Sequence, residues 1–297
     1  MQKIVIAGGT GFIGSYLEER FKKSGYRVLL VSRQEPHVPW QHSELTKAVN
    51  EAALVLNLAG TSINCRHNAI NKKAILQSRI SSTQMIGNAI LASKIPPKLW
   101  INASAAAIYK QSEDKAMTED ETDLSNDFLA DVVHQWEQKF FSFQLPSTRK
   151  VALRTSLVLG KEGGALKPLL TLSQFGLGGT QASGNQIMSW IHIEDYFRIV
   201  LFLLEHEGIY GVYNCSSPNP VSNKEFMSTI RRILNIPIGL PAPAWIIGIG
   251  ARIIGTESSL ILNSSYLLPK KLMNSKFRFT YPELEKALFN LLLVNEH

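Results

Sequence analysis

An α/β fold, with a doubly wound parallel sheet and a smaller C-terminal α/β lobe, is predicted by three features of this 297-residue sequence. Short β-branched runs alternate with amphipathic stretches through the first half, which reads as βαβ units around a sheet buried on both faces. A glycine-rich run, Gly8-Gly-Thr-Gly11-Phe-Ile-Gly14, directly follows the first apolar run and opens the first amphipathic stretch. The C-terminal part changes character: Pro218, Pro220, Pro237, Pro241, Pro243, Pro269 and Pro282 break it into short helices and loops.

Taken in order, strands are expected at Lys3–Ala7, Val28–Ser32, Leu54–Leu58, Leu99–Ala103 and Val151–Leu153, with another through Gly211–Asn214. Helices are expected over Ile13–Ser24, Lys72–Ser93 and Phe128–Phe143, and from near Asp195. The organisation that follows is a dinucleotide-binding domain over 1–215 and a substrate lobe over 216–297. The Gly-rich segment within 161–187 would contribute to the cleft between them. Ile238–Ala251 is apolar for about 14 residues and interrupted by Pro241 and Pro243. A spanning helix needs about 20, so a buried or interfacial helix is expected and no membrane partner.

Composition narrows the function classes. Hydrophobic residues make up 45% and charged residues 19%, which excludes a disordered or fibrous chain. Cys65 and Cys215 are too far apart to read as a metal clip or disulfide framework, and no basic leader precedes Lys3. A cytoplasmic protein without a bound metal is therefore expected. The net charge of +7 has its clearest local excess at Lys270, Lys271, Lys276 and Arg278. With 24 acidic residues interleaved elsewhere and no nucleic-acid-binding signature, the charge is better read as favouring small anions than nucleic acid.

The glycine run explains which anion. Gly8 permits a tight turn, Gly11 lets backbone approach a pyrophosphate, and Gly14 lets the helix pack closely on the strand. The phosphates would then meet a helix N-terminus, where unpaired N–H groups and the macrodipole favour negative charge. This is the fingerprint of a Rossmann dinucleotide site. The second strand ends in Val31-Ser32-Arg33, where NAD sites usually carry an acid for the ribose hydroxyls. Arg33 instead offers a charge-assisted fork for a 2′-phosphate, so NADP(H) is favoured over NAD(H), although Glu35 follows closely.

With Asn57-Leu-Ala-Gly60 and Asn102-Ala-Ser-Ala105 added, the chain resembles the extended short-chain dehydrogenase/reductase superfamily, which includes nucleotide-sugar epimerases and dehydratases. Arg154-Thr-Ser-Leu-Val-Leu-Gly160, Gly163-Gly164, Phe175-Gly-Leu-Gly-Gly179, Met188-Ser-Trp-Ile-His-Ile-Glu-Asp195 and Tyr281-Pro-Glu-Leu284 make it similar to one atypical subgroup. That subgroup is the epimerase family, NAD-dependent epimerase/dehydratase-like with a C-terminal extension. The resemblance spans essentially the whole chain. It implies NADPH contacts at Thr10, Gly11, Phe12 and Ile13, at Ser32 and Arg33, at Leu58 and Ala59 beside Gly60, and at Arg79 and Val158. The acidic partner that the family pattern places five residues before Arg79 is Ala74 here. Superfamily relatives often pair through two helices, so a homodimer is compatible with the resemblance.

The usual chemistry of that superfamily needs a Ser or Thr, a Tyr, and a Lys four residues after the Tyr. Tyr moves the hydroxyl proton during hydride transfer, Lys one helical turn away lowers its pKa, and Ser orients the substrate oxygen. If Glu137 marks the usual helix glutamate, the Tyr slot is Leu129, the Lys slot is Val133, and the Ser slot is Ala105. Ser104 and Tyr109 are the remaining catalytic candidates. His134 would point away from the site and His192 reads as structural; Asn102, Gln186 and Trp190 are binding candidates. Two functions stay open. One is an NADP-dependent epimerase or oxidoreductase acting on a small polar or sugar-nucleotide-like substrate. The other is a catalytically inactive NADPH-binding regulatory protein. The intact phosphate loop supports both, and the missing Tyr/Lys pair favours the second.

Overall fold

The structure, a computed structural model, describes residues 1–255 and 257–294; for Gly250, Ala251, Ile253, Ile254, Leu260 and Ile261 it describes the backbone alone. The chain begins with β1 (Lys3–Ala7), α1 (Phe12–Lys23), β2 (Arg27–Val31), α2 (His42–Val49), β3 (Ala52–Asn57) and α3 (Ala69–Ala92). It continues through β4 (Leu99–Ala105), a 3₁₀ turn (Ala106–Ile108), α4 (Phe128–Phe141) and β5 (Arg149–Thr155). Next come β6 (Leu157–Leu159), α5 (Leu166–Gln174), β7 (Ile187–Met188), β8 (Trp190–His192), α6 (Ile193–Glu205) and β9 (Gly211–Cys215). The remainder is β10 (Val221–Ser222), α7 (Asn223–Ile233), α8 (Ala244–Ile254), α9 (Ser259–Leu262), α10 (Lys270–Asn274) and α11 (Leu284–Leu293).

Six strands form one parallel sheet in the order β2-β1-β3-β4-β5-β9. Successive side chains of a strand point to opposite faces, and the core divides accordingly. Ile4, Ile6, Leu54, Leu56, Leu99 and Ile101 pack on one side against Leu17 and Phe21 of α1 and Tyr196 and Ile199 of α6. Val5, Val55, Trp100 and Ala152 pack on the other against Leu45 of α2, Ile86 and Ile90 of α3, and Phe140 of α4. Helices on both faces explain why these strands read as unbroken apolar runs. All six expected sheet strands and the four expected helices are present with ends shifted by a few residues; α2 was not foreseen.

A third cluster lies outside the sheet. Leu159, Leu166, Leu169, Met188 and Trp190 pack with Phe226, Met227 and Ile230 of α7 and Leu284, Leu288 and Leu291 of α11. Its two-stranded pairings, β6 with β8 and β10 with β7, tie residues 157–192 to the C-terminal segment. Asp195 clips the two cores together: one carboxylate oxygen accepts from Thr280 N at 2.7 Å and the other from Tyr281 N at 2.8 Å. Of the two expectations for the apolar stretch before residue 255, buried or interfacial, its described side chains do not fit the first. Among its described side chains only Ile247 is buried, while Trp245 is 67% and Ile249 53% exposed. No helix among the described residues is long and apolar enough to cross a membrane.

The sheet's strand order reverses between β1 and β3, and there the two loops touch. Gly8 has φ +76°, and a Cβ there would lie 2.8 Å from Ala59 N and Leu58 C. Gly14 is closed in by backbone, its would-be Cβ lying 2.6 Å from Gly9 Cα and 2.7 Å from the oxygens of Gly8 and Gly9. Gly14→Ala is expected to destabilise the protein by about 1–3 kcal/mol through this overpacking, read as a lower urea midpoint with an unchanged slope. An unshifted midpoint would contradict the close packing of α1 on its loop.

Candidate functional site

The junction at the switch point opens into a cleft of about 430 Å³ at the carboxyl ends of the strands, where ligands of open α/β sheets sit. Gly8, Thr10 and Gly11 form one wall, Ser32 and Arg33 another, and Leu58, Ala59 and Gly60 a third. Gly11 begins α1 with no side chain capping the helix and no acid in the first turn. A Cβ at Gly11 would meet only Gly8 O, at 3.5 Å, so its outer face is open. The fourth side was not foreseen from sequence: Trp40, Thr61, Ser78, Ser81, Ser82 and Met85. These residues come from α3 and from the loops after β2 and β3, and no fixed spacing links them to the glycine run.

The electrostatics are one-sided. Among the described residues Arg33 is the only charged one lining the cleft, no carboxylate lines it, and Glu35 does not reach it. Among the described residues Arg33 has no ion-pair partner. The Ser32 hydroxyl is held in place: its Oγ accepts from Gln34 N at 3.0 Å and lies 2.8 Å from His37 Nδ1.

Arg79 lies behind this wall. Its Nη1 donates to Thr61 O and Ile75 O, both at 3.0 Å, and its guanidinium stacks 5.2 Å from the centre of the Trp136 ring. A Cβ on Gly60 would touch it at 3.2 Å. Burial without a neighbouring carboxylate pushes Arg79 down to about 10. Phe12, Ile13, Gly14 and Val158 likewise stand outside the cleft lining. Ile13 and Val158 join the core, and the Phe12 ring packs on the loop after β6. Added Cβ atoms on Gly160, Gly163 and Gly164 would come within 2.5, 2.8 and 2.8 Å of that ring, so the glycines of this loop make room for Phe12.

On the far side of β4, the candidate acid–base residues are bound into one buried network. Glu137 on α4 accepts from Arg154 Nε at 2.9 Å on Oε1 and from Arg154 Nη2 at 2.7 Å on Oε2. Ser104 donates to the same Oε1 at 2.6 Å. Arg154 Nη1 donates to the Tyr109 hydroxyl at 2.8 Å, and that hydroxyl donates to Asn214 Oδ1 at 2.8 Å. Asn214 N donates in turn to Glu119. Burial works against the charged Arg154, but the bonds and charge of Glu137 outweigh it and hold the guanidinium above its ordinary value. Burial also raises the Tyr109 phenol, and Arg154 and Asn214 only partly oppose that. A phenol that serves as proton carrier near neutrality needs the opposite shift.

The slots left empty by the Tyr/Lys pair hold no replacement. Val133 is buried with Ile108, Tyr109, Met117 and Leu267. His134 is exposed, as its rotation around α4 implies. His192 is buried, and burial pushes it down to about 4; its Nδ1 accepts from Glu194 N at 3.0 Å and its ring stacks on Tyr281 at 4.0 Å. That is a structural histidine. Of the remaining binding candidates, Asn102 hydrogen-bonds Asn57 at 2.8 Å, Gln186 donates to Gln181 O, and Trp190 donates to Asn219 O. All three are buried and spend their polar groups inside the protein, a correction to the expectation that they face the cleft.

Comparison with known proteins agrees with this geometry. Residues 4–132 match the model of the NAD dependent epimerase/dehydratase family, and residues 242–291 match a domain of unknown function, DUF1731. The epimerase family protein YfhF of Bacillus subtilis is 36% identical, over 97% of both chains. The epimerase family protein SSP1921 of Staphylococcus saprophyticus is 33% identical, over 98% of this chain and 100% of that one. Among solved structures, the human epimerase family protein SDR39U1 (isoform 2) with NADPH superposes with a TM-score of 0.88 at 32% identity, over 98% of this chain and 99% of that one. MoeE5 in complex with UDP-glucose and NAD shares the fold alone, at 18% identity and a TM-score of 0.78, over 97% of each chain. The chain belongs to the NAD-dependent epimerase/dehydratase family of extended short-chain dehydrogenases/reductases, in the epimerase-family branch that carries the C-terminal DUF1731 domain.

Proposed function

We propose that this protein binds NADP(H) in the switch-point cleft. The observation that carries the reading is a cleft lined by Arg33 and by no carboxylate. An acid at the end of β2 would take the ribose hydroxyls and repel a 2′-phosphate; Ser32 and Arg33 suit the phosphate instead. Gly8, Gly11 and the uncapped start of α1 suit the pyrophosphate. Leu58, Ala59 and Gly60 border the adenosine, and Arg79 acts from behind by holding Gly60 and Thr61. Phe12 and Val158 shape the side of the loop after β6 toward the substrate lobe. In this assignment residues 1–215 form the cofactor domain and 216–297 the substrate lobe, with 161–187 contributing to the cleft.

When bound, the nicotinamide supplies or accepts a hydride. What this chain lacks is the customary proton carrier beside it. On the enzyme reading the substrate is small and polar, or sugar-nucleotide-like, and its proton comes from a donor other than Tyr109 or Ser104. The second reading, a regulatory protein that binds NADPH without turnover, is favoured by one observation: both hydroxyls are committed to the Glu137–Arg154 pair. In either case Ser104 and Tyr109 act as positioning residues that complete a buried ion pair.

Arg33→Ala is expected to weaken NADPH binding by about 1.5–3 kcal/mol while changing NADH binding little, measured by calorimetry on both cofactors. Equal weakening of the two would remove the 2′-phosphate role. Tyr109→Phe strands Arg154 Nη1 and Asn214 Oδ1, so a loss of about 1–3 kcal/mol of stability is expected with NADPH affinity intact. Any hydride transfer measured for this protein should survive that change. Turnover abolished in a stably folded, NADPH-binding Tyr109→Phe protein would reinstate the phenol as the acid.

A further inference from the structure

A second cavity, of about 460 Å³, opens at the amino-terminal edge of the sheet, the end opposite the glycine loop. Five residues of β1 separate the two ends, a distance of about 15 Å at strand rise. Three cations line it: Lys3 on β1, Arg27 on β2, and Lys98 just before β4. Lys3 and Arg27 are register partners on adjacent parallel strands, which places like charges side by side. Such pairs destabilise a sheet unless something neutralises them. Among the described residues Glu51 is the only carboxylate in the lining, which leaves two positive side-chain charges in excess, besides the amino group of Met1.

Several surface cations elsewhere are held in ion pairs, although others, Arg33 among them, are not. Lys22, Lys23, Lys47 and Lys270 are each paired with a carboxylate at 2.6–2.7 Å, and Arg232 with one at 3.1 Å. Lys3, Arg27 and Lys98 have no such partner among the described residues. The Lys3 ammonium donates to Asn50 O, and burial, with Arg27 adding to it, pushes it below its ordinary value against the pull of Glu51. The walls are fixed by backbone: Glu51 N donates to Ile95 O at 2.8 Å and Lys98 N to Ala52 O at 3.2 Å. Ile95, Pro96 and Ala52 add an apolar side. The volume lies within the usual range for small-molecule sites, about 300–1,000 Å³.

We propose that this cavity is a second ligand site, separate from the dinucleotide cleft, for a small phosphate-bearing anion held by Lys3, Arg27 and Lys98. A phosphoanhydride carries enough charge to offset the excess and enough oxygens to engage a guanidinium and two ammonium groups together. The apolar side accommodates whatever the phosphates are attached to.

The test is calorimetric titration of the full chain with inorganic pyrophosphate, in the presence of saturating NADPH. One pyrophosphate per chain is expected to bind. The double variant Arg27→Ala/Lys98→Ala, whose changes are at the surface, is expected to lose about ten-fold or more in pyrophosphate affinity with a melting temperature no lower than that of the unmodified protein. Lys47→Ala, an exposed and ion-paired control, is expected to leave it unchanged. No heat at millimolar pyrophosphate would overturn the proposal. Equal affinity in the double variant would also overturn it, because the heat would then arise away from Arg27 and Lys98.

Discussion

The contact between the loop after β1 and the loop after β3 is the constraint on which the rest of the site depends. Gly8 can lie against the Leu58–Ala59 backbone only because it has no side chain and adopts φ +76°. That approach brings the end of β3 beside the start of α1, and the reversal of strand order at this point leaves a crevice above them. Gly14 then seats the helix directly on its own loop. Phe12, the first residue of the helix, reaches across to the Gly160–Gly164 loop and links the glycine-rich turn to it. The cleft and the lobe beside it therefore share one mechanical element.

The buried Glu137–Arg154 pair governs the other half of the site. Removing either partner of such a pair leaves an uncompensated charge in the core, so every group that satisfies it is held in place. Ser104, Tyr109, Asn214 and Glu119 form the chain of partners, and together they join β4, the loop before α4, β5 and β9. The slots that the superfamily pattern gives to its Ser, Tyr and Lys fall at Ala105, Leu129 and Val133, and the network uses their neighbours Ser104 and Glu137 instead. The cleft at the glycine loop and the buried ion-pair network thus rest on separate sets of contacts.

The sheet was legible because burial on both faces demands continuous apolar strands, and because a close backbone approach admits glycine alone. Gly8, Gly11 and Gly14 carry that constraint in their identities, and Arg33 carries the charge of the cleft in its own. What stayed hidden is tertiary. The Ser104–Glu137 bond spans 33 positions and the Tyr109–Asn214 bond 105, with no periodicity to announce either. Trp40, Ser78 and Met85 reach the cleft from separate elements for the same reason. The helix at Ala244–Ile254 shows the limit from the other side: apolar composition left a buried and an interfacial helix both open, and only the structure shows the described side chains to be largely uncovered.

The most direct measurement is calorimetric titration of the unmodified protein with NADPH and NADH side by side. The account predicts one site, with NADPH bound at least about ten-fold more tightly than NADH, as a single charged contact to a 2′-phosphate requires. Equal affinity for the two cofactors, or binding of neither, would contradict it.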